Sequence, residues 1–419
     1  MKLIQEFKQT EMGAIPIDWE VKEFAEVMDG FASGQTPYRG VQSHYNGRIP
    51  WITSGELNYN VITNTREKIT ESGMKNANLK LIPKGTFLFA ITGLEAEGTR
   101  GSCAITGIEA TTNQSCMALY PKKGLLTTAY LYHYYIRFGN ELALKYCQGT
   151  KQQSYTGGIA KKLPIIVPPT IQEQTAIATA LSDTDALISS LEKLIAKKRN
   201  IKQGAMQDLL MPKMEWQETT YGDVFEFLST ASYSRAQLRE NGEIKYIHYG
   251  DIHTKWSTYL DFDKNTLPTI SQSQINGCPL LKEGDIVMAD ASEDYEGVGK
   301  SIEIRNLRST QAISGLHTLL LRDKEGVFVD GFKGYIHLIP YVKKHLNRLA
   351  TGLKVYGISK TNLKMVRIPF PPKKEQIRIT GILGDMDSEI DALESKLAKY
   401  RQIKTGMMQT LLTGQIRLV

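Results

Sequence analysis

The chain is poor in cysteine. Its four, Cys103, Cys116, Cys147 and Cys278, lie far apart with no CxxC pair. Such spacing offers neither a zinc knuckle nor a disulfide framework, so reduced thiols in a cytoplasmic protein are expected. No uninterrupted apolar run approaches the roughly 18 residues of a membrane span. The N-terminal MKLIQEFKQTEMG has no apolar core of signal-peptide length. Histidine is also scarce, with seven in the chain. His248 and His253 are five apart on an expected strand and turn, a poor ligand spacing, so no metal site is expected.

Catalytic motifs are missing as well. EGVGKS (296–301) resembles the end of a phosphate-binding loop, but Asp294 stands where that loop needs its first glycine. VPPT (167–170) and FPPK (370–373) contain a Pro-Pro pair. They lack the polar residue before it and the aromatic after it that would hold a flipped adenine. Asp285, Asp290 and Glu293 stand near Lys300 in a loosely nuclease-like group, yet the first half has no equivalent cluster. No catalytic residue is expected in this chain.

What is present is ordinary in bulk. Hydrophobic residues make up 41% and charged residues 23%, as in soluble globular proteins, and 419 residues suffice for two or three domains. The net charge of +7 leans towards an acidic partner without requiring one.

The informative feature is a repeat. Residues 168–210, from PPTIQEQ to QDLL, return at 371–412, from PPKKEQ to QTLL. Laid on one another, 173–210 and 375–412 are identical at half of their positions. A long internal period is settled before other features, because it fixes the architecture. Each double proline ends a short β-branched stretch and suits a helix entry. Thr170 and Glu173 have capping-box spacing in the first copy; Lys373 replaces the threonine in the second. In the second helix Leu383, Met386, Ile390, Leu393, Leu397 and Tyr400 alternate by three and four, a heptad seam. The first has Leu181, Ile188, Leu191 and Ile195 in the same row. Leu187, Leu194 and Ile201 form a further row at spacing seven, which implies a second helical neighbour, either a partner or more of the same chain.

Both helices carry acid first and base last. Asp183, Asp185 and Glu192 precede Lys197, Lys198, Arg199 and Lys202; Asp385, Asp387, Glu389, Asp391 and Glu394 precede Lys396, Lys399, Arg401 and Lys404. This order suits the helix dipole. It also matches acid with base only if the helices run antiparallel, so a pseudo-twofold pair is expected. The flanking stretches repeat more faintly. IPWITSGEL (49–57) parallels IKYIHYGDI (244–252), and PKGTFLFA (83–90) parallels KEGDIVMA (282–289). Helical patterns follow at about 126–145 and 330–350. The expected fold is therefore α+β: globular domains at 1–165 and 213–367, with spacer helices at 166–212 and 368–419.

Taken in order, TEMGAIPIDWEV (10–21), GQTP (34–37), the strand motifs, PPTIQEQ, PPKKEQ and LLTGQIRL (411–418) resemble the specificity subunits of type I restriction–modification systems over nearly the whole chain. The second half lacks a recognisable GQTP near STASYSRAQ (229–237). The resemblance implies two target-recognition domains, each reading half of a split double-stranded DNA target. It implies helices that set the gap and dock two modification subunits, with restriction subunits joining them. S-adenosylmethionine, ATP and Mg²⁺ would sit on those partners, and no cofactor on this chain. The other readings are a free-standing bipartite DNA-binding regulator, or a nuclease or methyltransferase with an unrecognised site.

Loop chemistry selects the candidate DNA contacts, since Arg, Gln and Asn can pair with base edges. In the first domain they are Ser33, Gln35, Tyr38, Arg39, Arg100, Lys151, Gln152, Gln153 and Tyr155. In the second they are Tyr233, Ser234, Arg235, Lys300, Lys354 and Tyr356. Leu187, Leu194 and Ile201 are the candidates for partner docking.

Overall fold

The computed structural model describes residues 2–3, 6–149, 151–275 and 277–418. The chain forms two compact units, residues 1–193 with 395–419 and residues 194–394.

The first unit is built on a five-stranded sheet. Its order is Met28–Ser33, Cys116–Pro121, Phe87–Ala90, Cys103–Thr106, Asn60–Ile62. Neighbours among the first four strands are antiparallel and the last pair is parallel. All four residues of Phe87–Ala90 are buried, which is why this continuous apolar run forms a central strand. A second sheet sets Tyr45–Ile52 between Thr111–Thr112 and Glu67–Ile69. The helix Thr128–Tyr146 begins at Thr127, whose hydroxyl accepts the Tyr130 N–H, and buries Tyr130, Leu131, Tyr134, Tyr135, Phe138 and Leu142. Two of these buried tyrosines have their hydroxyls satisfied: Tyr130 donates to the Ile166 carbonyl at 3.0 Å and Tyr134 to the Pro164 carbonyl at 2.9 Å.

The second unit repeats this scheme. Its five-stranded sheet runs Phe225–Leu228, Thr318–Asp323, Ile286–Ala289, Ser301–Arg305, Tyr259–Asp261, again with only the last pair parallel. Ile244–Ile247 lies between Thr269–Ile270 and Ala312–Ser314. One expectation is corrected. The helix expected at 330–350 is broken into a 3₁₀ segment, Lys333–Leu338, and a helix, Pro340–Leu349. Pro340 has no N–H to continue a ladder, so it restarts the chain at the first turn of a new helix.

The repeated segments are the two long helices, Ile171–Leu209 and Lys373–Leu411, each of 39 residues. At about 1.5 Å per residue each is roughly 58 Å long. They pair antiparallel, as the charge order required. In the first unit Glu192 meets Arg401 at 2.7 Å and Asp185 meets Lys404 at 2.5 Å. In the second, Lys198 meets Glu389 at 2.7 Å, Arg199 meets Glu394 at 2.6 Å, and Lys202 meets Asp387. Leu181, Leu191, Ile195, Leu383, Ile390 and Leu397 are buried, and Ile188, Met386, Leu393 and Tyr400 are half-buried. In the further row, Leu187 is half-buried while Leu194 and Ile201 are 38% and 47% exposed.

The Glu-Gln pair that opens each helix has distinct duties. Gln174 accepts the Thr127 N–H at 3.0 Å and donates to the carbonyls of Leu125 and Pro168. Gln376 accepts the Val329 N–H at 2.9 Å and donates to those of Val327 and Pro371. Thr170 does cap the first helix, accepting the Glu173 N–H at 3.1 Å. The reciprocal half of the expected capping box is replaced, because the buried Glu173 carboxylate pairs with Arg417, which also grips Asp18. This network stands beside the antiparallel pairing of Lys2–Leu3 with Ile416–Arg417.

Two outcomes are expected. Gln174→Leu strands one backbone donor and two backbone acceptors and should cost about 2–3 kcal/mol in urea unfolding, with Gln376→Leu similar. The second concerns acid. Burial pushes His133, bonded to the Ser182 hydroxyl, down to about 4, and His337, bonded to the Ser301 hydroxyl, down to about 3. Both folded values lie below the 6.5 of the free side chain. The unfolded chain therefore binds these protons first, so stability is full above that value and falls as pH drops towards 4. The slope should reach about 1.4 kcal/mol per pH unit for each histidine. Melting temperature measured from pH 7 to 5 should fall, and His133→Gln should make that fall shallower.

Candidate nucleic-acid interface

Strand register gathers the candidate loops of the first unit at one end of its sheet. Ser33 pairs with Met117 and Cys116 pairs with Ala90, so the ends of two strands and the start of a third coincide. The loops 34–40, 91–102 and 113–115 leave from that end. Gly34 is required there, because a Cβ would lie 1.7 Å from the Thr112 carbonyl oxygen. The indole of Trp51 donates to the Gln35 carbonyl at 3.2 Å, and Thr36 bonds the Gln114 side chain at 2.6 Å. Ser33, Gln35 and Tyr38 are exposed, Tyr38 at 70%. Arg39 lies over the rings of Tyr45 and Trp51 at 4.6 and 5.1 Å and is held bidentately by Glu67. Its guanidinium holds the Glu67 carboxyl below the usual range.

Arg100 has a different role from the one its residue type suggested. It is half-buried and donates to the carbonyls of Leu94 and Glu95, both at 2.9 Å, pinning its own loop. Glu95 in turn accepts the Gln153 N–H at 2.9 Å, and Leu94 N–H donates to the Gln153 carbonyl at 3.0 Å. The loop after Gln148 is thereby stitched to the same end, with Lys151 and Gln152 exposed and Gln153 half-buried. Tyr155 is corrected to a core residue: it is 3% exposed and its ring lies 6.1 Å from that of Phe89.

In the second unit Leu228 pairs with Leu320, Ala289 with Thr318 and Met288 with Ser301, which again places three loops at one end. The loop 229–237 stands where GQTP stands in the first unit. The Tyr246 hydroxyl donates to the Tyr233 carbonyl at 2.7 Å, as Trp51 does to Gln35. Tyr233 is half-buried, Ser234 and Arg235 exposed. Arg235 reaches the buried Asp251 at 3.1 Å and His248 at 3.4 Å. Lys300 donates to the His253 carbonyl at 3.0 Å, and burial pushes its ammonium pKa down. Lys354 is exposed; Tyr356 is half-buried, edge-on to Tyr295 at 5.5 Å.

Sequence reasoning set His248 and His253 aside as ordinary polar residues, and passed over Asp251 and His317. The ring of Tyr249 has those of His248, His317 and His253 around it at 4.7, 5.4 and 6.2 Å. His317 stands 3.5 Å from Asp290, whose carboxyl burial raises. The parallel of YGDI with SGEL was the signal that could have found Asp251; His317 had none in the sequence. Among the described residues no group of three or more His, Cys, Asp or Glu could hold a metal, and no helix is long and apolar enough to cross a membrane.

Comparison with known proteins agrees with this geometry. The family profile described as "Type I restriction modification DNA specificity domain" matches twice, at residues 16–202 and 213–402. The type I restriction enzyme MjaIX specificity subunit of Methanocaldococcus jannaschii is 34% identical over 191 residues, which span 45% of this chain and 43% of that one. The MjaVIII specificity subunit of the same organism is 23% identical over 443 residues, covering 99% of this chain and 96% of that one. The crystal structure of the type I restriction–modification S subunit from M. genitalium superposes with a TM-score of 0.56 at 15% identity, covering 94% and 96% of the two chains; it shares the fold.

Core and surface positions at this end should separate by stability. Tyr155→Ala should cost about 3–5 kcal/mol in chemical unfolding, as for a truncated core aromatic. Gln152→Ala should stay within about 0.5 kcal/mol of the parent.

Proposed function

The chain belongs to the type I restriction–modification DNA specificity family and is the DNA sequence-specificity subunit of such a system; from that premise we propose how its parts divide the work. The loop end of each unit reads one half of a split double-stranded DNA target. The long helices hold the two readers at a fixed separation, so that both meet the duplex at a fixed helical phase. Leu194 and Ile201, exposed on the first helix beside half-buried Leu187, dock modification subunits, two per chain, and restriction subunits join that complex. This chain contributes no chemical step. S-adenosylmethionine, ATP and Mg²⁺ are held by the partners, in the cytoplasm. Affinity comes from cations on phosphates, and discrimination from the loop side chains.

One observation carries this reading. Both units present the same three loops at the same sheet end, tied by the same aromatic-to-carbonyl bond, yet with unlike side chains. A common scaffold with dissimilar faces is what a reader of two different half-sites needs.

Methylome mapping of cells with and without the chain tests the reading. A two-part motif methylated only in its presence is expected, and methylation that is independent of the chain overturns it. Purified alone with S-adenosylmethionine and Mg²⁺, it should neither methylate nor cut DNA. Leu194→Asp with Ile201→Asp should abolish assembly while the chain stays folded.

A further inference from the structure

One loop occupies the same place in both units, with a lysine shared between them (Lys151, Lys354) and unlike neighbours. In the first, 148–154 is closed by a bridge between Gln148 and Ser154 and presents Lys151 and Gln152. In the second, 351–357 is closed by a bridge between Thr351 and Gly357, with hydrogen bonds of 3.0 and 2.8 Å. Its tip presents Leu353 at 98% and Val355 at 55% exposure, on either side of exposed Lys354.

The tip is narrow and braced. Gly352 sits at φ 146°, and a Cβ there would lie 1.9 Å from the Val355 carbonyl oxygen, so only glycine closes the turn. At its base Tyr356 pairs with Ser292 and packs against Tyr295, and Ile358 enters the core. The bridge continues through Ala291, which pairs with Gly357 and whose carbonyl meets the His253 ring, to Lys300, which donates to the His253 carbonyl. A leucine left almost wholly in water adds nothing to the core. A projecting tip that sets two apolar side chains about one lysine suits an anionic surface with apolar points. On duplex DNA the apolar group of the base edges is the 5-methyl of thymine, in the major groove.

We infer that the 351–357 hairpin is an apolar base reader, Leu353 with Val355 packing on thymine methyls in the half-site of the second unit. The inference rests on the proposed reading that these loop ends face DNA. The first unit, with Gln152 at the equivalent tip, reads there through hydrogen bonds instead.

The assembled methyltransferase complex provides the test. Wild type should require thymine at one or more positions of the second half of its motif, and replacing those thymines by deoxyuracil should weaken binding about tenfold. Leu353→Ser should bind both duplexes equally and relax those positions in the methylome, leaving the first half unchanged. Its unfolding curve should match the parent, since the side chain is exposed. A second half-site free of thymine, equal binding of thymine and uracil duplexes by wild type, or an unchanged motif in the variant would each overturn the inference. So would brightening of 2-aminopurine beside the tip with no thymine dependence, which would make Leu353 a wedge between base steps. Absence of any split motif would instead sink the functional reading itself.

Discussion

A buried carboxamide at the start of each long helix sets the terms for everything attached to it. Gln174 and Gln376 each accept one backbone N–H and donate to two carbonyls, one in the turn before the domain's own helical segment and one in the double proline. An amide is suited to this because it offers donor and acceptor on one planar, uncharged group, and its burial makes an unmatched partner costly. The prolines fix the backbone direction just before it. Together they determine the angle at which a helix of 39 residues leaves its globular body. The neighbouring glutamate is free to diverge: Glu173 is buried on Arg417, whereas Glu375 pairs with Arg378 and Lys213 nearer solvent.

Charge order then decides how the helices lie. Each unit contains the acid-rich start of one helix against the base-rich end of the other, and every ion pair between them joins those ends. Exposed pairs such as Arg199–Glu394 are worth about 0–1 kcal/mol each, so their sum adds little stability. A parallel arrangement, however, would place like charges along the whole contact. The pairs therefore select orientation, while the apolar seam from Leu181 to Leu397 supplies the attraction. Lys202 and Asp387 differ in being largely buried, which makes that pair sensitive to the loss of either partner.

Much of this was legible in the sequence because helices advertise themselves by period. The seam, the antiparallel sense, the double prolines and the α+β class follow from residues whose roles depend on spacing alone. The loop site was legible only in outline. Exposed Ser33, Gln35, Tyr38, Lys151 and Lys354 stand where loop chemistry suggested, but Tyr155 is core and Arg100 spends its guanidinium on carbonyls of its own loop. Residue type cannot separate an arginine that faces a ligand from one that staples a turn; only the positions of nearby carbonyls do so. The histidines around Tyr249 were missed for a related reason. They come from 248–253 and from 317, segments that strand register brings together and sequence distance keeps apart. The broken helix near Pro340 shows the opposite case, in which one residue outweighed a helical pattern.

The missing GQTP in the second half has a physical explanation that bears on how such a protein can change what it reads. In the first unit the loop is tied down by Trp51 donating to the Gln35 carbonyl; in the second, Tyr246 donates to the Tyr233 carbonyl. The donor is a side chain on a rigid strand, and the acceptor is backbone. Backbone carbonyls are present whatever the side chain, so the bond fixes the path of the loop without constraining its residues. GQTP and STASYSRAQ can then hold equivalent positions with almost nothing in common. The strands and helices, whose side chains carry the packing, have no such freedom. Variation is thereby directed to the loop faces, where it alters recognition and leaves the core undisturbed.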